Sequence, residues 1–139
     1  MKGCLSMNDR RVSHEEYSKA LRRLQDGLAV DPTNNGLALD GVILRFEFTF
    51  ELGWKLLKAL LVHEGIQCAS PRSCIKESFR SGILADGDSW IQMLEDRNQT
   101  THLYDEAEAK SIYKKIKESY LELLLELERK ADNESLENG

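Results

Sequence analysis

The sequence predicts an all-α fold, an antiparallel four-helix up-and-down bundle with an additional short helix. Three observations predict it. Apolar residues recur at steps of three and four along three long segments, helix start signals precede several segments, and only 2 prolines interrupt the 139 residues. The one strand-like alternation, Phe46, Phe48, Phe50 and Leu52 against Glu47, Thr49 and Glu51, lies inside a longer helical stripe.

The first helix is expected to start at a capping box, Ser13-His14-Glu15-Glu16, where a hydroxyl and a carboxylate would satisfy exposed amides. Tyr17, Ala20, Leu21, Leu24 and Leu28 then form one stripe, ended by the loop Asp31-Pro32-Thr33-Asn34-Asn35-Gly36. The second helix spans about residues 40–64, with Ile43, Phe46, Phe50, Trp54, Leu57 and Leu61 on its stripe. Gly65 is the stop, because glycine takes the left-handed conformation that ends helices. Phe48 and Leu52 fall about half a turn away, so this helix is apolar on two sides. Either a homodimer or another helix of the same chain must cover the second side.

Ser70-Pro71 opens a short helix through Ile75 and Phe79 to Gly82, with Ser as the cap and Pro at the first helical position. A fourth helix carries Trp90, Ile91 and Leu94 and ends in the poor helix formers Asn98-Gln99-Thr100-Thr101. Asp105 with Glu108 resembles another cap. Ile112, Ile116, Tyr120, Leu123, Leu124 and Leu127 carry a last helix to about Ala131. Residues 1–12 are accordingly expected to be a flexible N-terminal segment, 13–131 the single domain and 132–139 a frayed polar tail.

A net charge of -5 disfavours indiscriminate binding to nucleic acid or to an anionic membrane. The longest apolar run, Ala59-Leu60-Leu61-Val62, is far short of the roughly 20 residues that span a bilayer, and residues 1–11 carry no signal-like apolar stretch. A cytoplasmic protein without membrane contact is expected. Cys4, Cys68 and Cys74 form no C-x-x-C pair and read as reduced small hydrophobes, with no metal site. No glycine-rich phosphate loop is present, so no ATP cofactor is expected on this chain.

Chemistry concentrates in one polar joint. Arg97 is followed by Asn98, Thr100 and Thr101, then by His102 and Tyr104, a dense set of donors, acceptors and one fixed cation. In an unbroken helix five residues rotate by about 500°, leaving Arg97 and His102 about 140° apart, so the joint must break or bend if they are to act on one atom. Such a pair suits RNA cleavage without metal: His102 as general base on a 2′-hydroxyl, Arg97 stabilising charge at phosphorus. The plainer alternative has both residues capping helix ends and pairing with Asp96, Asp105 or Glu106. Arg72 and Lys76, in the first turns of the Ser70-Pro71 helix, are weaker candidates for holding an anion. Arg45, Glu47, Glu51, Lys55 and Lys58 read as a solvated, ion-paired face, and Trp54 and Trp90 as core.

Arg45 through Lys55, Ser70-Pro71-Arg72, Trp90 with Met93-Leu94, and Arg97-Asn98 through His102 and Tyr104 together resemble the nucleotidyltransferase substrate-binding-protein-like family of HEPN proteins, over about residues 10–130. The resemblance implies a helical core similar to the C-terminal domain of kanamycin nucleotidyltransferase. It also implies a homodimer and a separately encoded minimal nucleotidyltransferase as partner, which would hold ATP and magnesium. HepT-like toxins look similar at R-x4-H-x-Y, here Arg97, His102 and Tyr104. On that likeness Arg97 and His102 would be the RNase pair, with RNA as substrate, and Tyr104 would be the hydroxyl the partner modifies with AMP, as an antitoxin. Asn98 and Thr101 would line the same cleft. The alternative is a non-catalytic subunit that presents a nucleotide or other acceptor to the transferase.

Overall fold

Helix α1 (Met7–Leu28) and helix α2 (Gly36–His63) form the first antiparallel pair of the chain, whose computed structural model describes residues 7–102 and 105–138. The other helices are α3 (Pro71–Arg80), α4 (Gly87–Gln99), α5 (Glu106–Lys115) and α6 (Leu121–Asn138). A 3-10 turn, Thr100–His102, follows α4, and a π turn, Ile116–Tyr120, joins α5 to α6. The fold is all-α: α1, α2, α4 and the α5–α6 rod make the bundle, and α3 is the additional short helix.

The predicted stripes form most of the core, with Trp54 and Leu123 only partly buried at its edge. Tyr17, Ala20, Leu21, Leu24 and Leu28 are buried on α1, Ile43, Phe46, Phe50, Leu57 and Leu61 on α2, and Ile112, Ile116, Tyr120, Leu124 and Leu127 on the last rod. Phe46 stacks on Tyr120 with ring centroids 5.8 Å apart, and Phe50 meets Trp90 at 6.2 Å. Gly65 adopts φ 81°, and the amides of Gly65 and Ile66 return to the Val62 and Leu61 carbonyls at 2.9 Å, closing α2 as its sequence predicts. Ser70, Asp86 and Asp105 each cap the helix that follows, accepting from the backbone amides of Ser73, Ser89 and Glu108.

Three boundaries differ from the sequence prediction: α2 starts at Gly36, one turn early, because Asn35 caps it by accepting from the Ala38 amide, and the other two differ for a shared reason. Helix α1 begins at Met7, so Ser13 lies within it and starts nothing, and α6 continues past Ala131 to Asn138. The added turns support each other: Arg10 is buried, and His14 Nε2 reaches Asp132 Oδ1 at 2.6 Å. Local capping signals report single-helix preferences and carry no information about packing between residues so far apart in the chain.

The cysteine prediction is also corrected. Cys68 and Cys74 form a disulfide, with Cα atoms 5.1 Å apart, because the chain doubles back at Ser70-Pro71 between them. Cys4 lies outside the described residues. The apolar second side of α2 is divided: Leu52 is half-buried against the core, whereas Phe48 is 58% exposed, in line with exposed Leu44 and Leu37. No helix among the described residues is long and apolar enough to cross a membrane.

Candidate functional site

The break that Arg97 and His102 require is present. Helix α4 stops at Gln99, and the tighter 3-10 turn carries the chain from Thr100 to His102. Thr100 is buried and fastens the corner: its hydroxyl is shared between the Arg97 carbonyl, 2.6 Å away, and the Glu47 carboxylate of α2. Thr101 Oγ1 donates to the Asn98 carbonyl at 3.3 Å. Arg97 is half-buried at the last turn of α4, and Asn98, Thr101 and His102 are exposed. Tyr104 lies outside the described residues.

The carboxylates that a plain ion-pairing role would assign to Arg97 and His102 are engaged elsewhere. Asp96, buried, accepts from the Tyr120 hydroxyl, from Lys115 Nζ at 3.3 Å and from Gln92 Nε2 at 3.2 Å. Asp105 caps α5 through the Glu108 amide at 2.8 Å, and Glu106 faces Lys110 at 3.6 Å. Among the described residues, neither Arg97 nor His102 has an ion pair or side-chain hydrogen bond.

The weaker anion candidates lie apart from this turn, on α3. Arg72 reaches Glu95 of α4 at 3.5 Å, and Lys76 is exposed. The first-turn amide of Ser73 is already taken by the Ser70 hydroxyl at 3.2 Å, which reduces the attraction of that helix end for phosphate.

Next to the corner, a cleft of about 410 Å³ opens between α2 and the start of α5. Its apolar side is Leu39, Ile43 and Leu44, and Thr100 joins it to the corner. Asp40, Glu47, Asp105 and Glu106 give it four carboxylates, a field that repels anions and attracts cations. Among the described residues, no group of three or more His, Cys, Asp or Glu side chains is placed to hold a metal ion.

Residues 12–133 match the family described as nucleotidyltransferase substrate binding protein like. The chain belongs to that family. Among relatives of this nucleotidyltransferase substrate binding protein like chain is a Haemophilus influenzae protein named "Probable ribonuclease HepT", 30% identical over 94 residues. That match covers 64% of this chain and 64% of the relative, so the chain spans just under two thirds of that relative's length. A crystal structure from Thermus thermophilus superposes with a TM-score of 0.76 at 33% identity, covering 83% of this chain and 98% of the other. A structure from Haemophilus influenzae, described as revealing the fold of a substrate binding domain of a nucleotidyltransferase, superposes with a TM-score of 0.65. It is 21% identical, covers 91% of this chain and 99% of its own, and so speaks to the fold alone.

The fasteners of the corner escaped the sequence reading. Glu47 read as one member of a charged face, and Thr100 as a helix breaker, although their side chains meet across 53 positions. Tyr120 read as core only, because a buried phenol and a distant aspartate leave no periodic trace.

Proposed function

We propose that this chain is the helical subunit of a two-component HEPN and minimal nucleotidyltransferase system and acts as a HepT-like, metal-independent RNase. The observation that supports this most is the corner itself. A cation and an imidazole are displayed on either side of a helix break, with no partner among the described residues, while the neighbouring carboxylates are occupied. The name of the Haemophilus influenzae relative points the same way.

In this reading neutral His102 takes the proton of an RNA 2′-hydroxyl, and the resulting oxygen attacks the adjacent phosphorus. The P–O5′ bond breaks, leaving a 2′,3′-cyclic phosphate, and the proton held by His102 goes to the departing 5′-oxygen. Arg97 stabilises the charge that builds on the phosphoryl oxygens. Two copies of the chain, meeting through Leu37, Leu44 and Phe48 of α2, would form a homodimer and cover the apolar side that the monomer leaves exposed. The partner would silence the site by transferring AMP from ATP to the Tyr104 hydroxyl with release of pyrophosphate, adding negative charge and bulk to the R-x4-H-x-Y motif.

The deciding experiment is cleavage of RNA by purified protein in EDTA, without partner, for the wild type and His102→Ala. General acid–base loss is worth about 10²- to 10⁴-fold, so His102→Ala should be nearly inert while wild type cleaves. Arg97→Ala should likewise abolish growth arrest on expression.

A second reading is supported by the acidic cleft, whose four carboxylates disfavour RNA phosphate. Here the chain is a non-catalytic subunit that presents a nucleotide or other acceptor to the transferase, and the field of the cleft favours a cationic acceptor over a phosphate-bearing one. It predicts no cleavage by either protein and harmless expression of this chain alone.

A further inference from the structure

Asp96 stands immediately before Arg97 and is 8% exposed, yet three donors converge on its carboxylate. Gln92, one turn earlier on α4, reaches Oδ1, whereas Lys115 and Tyr120 both reach Oδ2. Lys115 and Tyr120 are five residues apart. In an α-helix they would point about 140° away from each other and could not address one oxygen. The π turn removes that conflict, since its i→i+5 bonding, seen as the Leu121 amide returning to the Ile116 carbonyl, brings residues five apart close to alignment.

Phe46 of α2 stacks on the Tyr120 ring with planes 16° apart, holding that ring from the α2 side. Burial, and then the hydrogen bond to Asp96, hold the Tyr120 phenol far above its ordinary range, so it remains a protonated donor. With Thr100 held by Glu47, Arg97 sits between two buried fasteners, one residue before it and three after.

We propose that Asp96 and Tyr120 are positioning residues for the Arg97–His102 pair, and that the π turn serves to deliver Tyr120 and Lys115 together to the Asp96 carboxylate. The claim rests on the RNase reading for its catalytic part and on geometry alone for its mechanical part. Neither residue touches substrate. They fix the end of α4, from which Arg97 projects, against the last rod of the bundle.

Tyr120→Phe tests this, because it removes one hydroxyl and keeps the ring on Phe46. Cleavage in EDTA should lose about 10- to 100-fold in kcat with KM nearly unchanged, the size of a misplacement rather than of lost binding. Hydrogen exchange at the amides of residues 97–102 should speed up, while protection of α1 and α2 stays at the wild-type level. Asp96→Ala should match Tyr120→Phe, the double variant should be no worse than either, and Asp96→Asn should recover part of the rate because its amide oxygen still accepts from Tyr120. Wild-type rate and wild-type exchange in Tyr120→Phe would overturn the proposal, as would loss of protection spread evenly over the bundle. If wild-type protein fails to cleave, the RNase reading and the catalytic part fall together, and the exchange map still decides whether the pair fastens the corner.

Discussion

Gly53 leaves room for Tyr17: a Cβ built on Gly53 would stand 3.1 Å from Tyr17 Cε1, and Tyr17 donates its hydroxyl to the Leu124 carbonyl at 2.7 Å. The ring is therefore pinned between α2 and α6 and has little freedom to retreat. Gly53→Val should destabilise the protein by about 1–3 kcal/mol, the usual cost of overpacking a filled core. Urea denaturation is the check, and an unchanged midpoint would show that Tyr17 gives way freely.

Two buried phenols make the bundle alkali-sensitive. Burial first, then the Glu128 charge, raise the Tyr17 phenol well above its ordinary range, and burial with the Asp96 hydrogen bond raises Tyr120. Above about pH 10 the unfolded chain sheds these protons while the folded chain keeps them, so unfolding is favoured as pH rises. Stability is full below about pH 10 and then falls by about 1.4 kcal/mol per pH unit for each phenol. Thermal melts from about pH 9 to 11 should show the decline, and Tyr120→Phe should make it shallower.

Helix α2 exposes Leu37, Leu44 and Phe48 at 86%, 66% and 58%, spaced seven and four residues apart along one side. Phe48→Glu combined with Leu44→Glu should convert a dimer to a monomer, measured by sedimentation, without unfolding it, because both side chains already face water in the single chain. A dimer that survives both charges would move the interface elsewhere.

The Cys68–Cys74 bridge spans the Ser70 cap of α3. Closing so short a loop is worth about 2 kcal/mol in the chain-entropy account. A thiol reductant should lower the melting temperature of wild type, and should leave that of a Cys68→Ser, Cys74→Ser double variant where it was.

Most helices were legible in the sequence because their signals are local. Ser70-Pro71 and Asp105 mark starts by their own chemistry, Gly65 marks an end, and apolar steps of three and four mark the buried stripes, whereas the cap at Asp86 was seen only in the structure. The helix-end errors have a non-local origin: the turn before Ser13 is helical because Arg10 is buried and because His14 meets Asp132. The disulfide is local, six residues apart, and was missed because its spacing is not C-x-x-C and it depends on the reversal at Ser70-Pro71. The π turn was hidden as well, since Ile116, Tyr120 and Leu124 keep a spacing of four that an uninterrupted α-helix would share.

At the site, the sequence locates the corner but not what holds it. The poor helix formers after Arg97 locate the break, and R-x4-H indicates which side chains flank it. Glu47, Asp96 and Tyr120 reach the corner from three different helical segments and carry no short-range signature.

The acidic cleft beside Thr100 bears on how such a surface responds to ions. Proteins that grip nucleic acid along a basic groove lose affinity steeply as salt rises, because each neutralised phosphate releases a counterion. Here added salt weakens the attraction at one cation, Arg97, and relieves the repulsion from four carboxylates, Asp40, Glu47, Asp105 and Glu106. The second response opposes the first. On the proposed RNase reading, an anionic strand approaching this corner would lose far less affinity with rising salt than it loses at a basic groove.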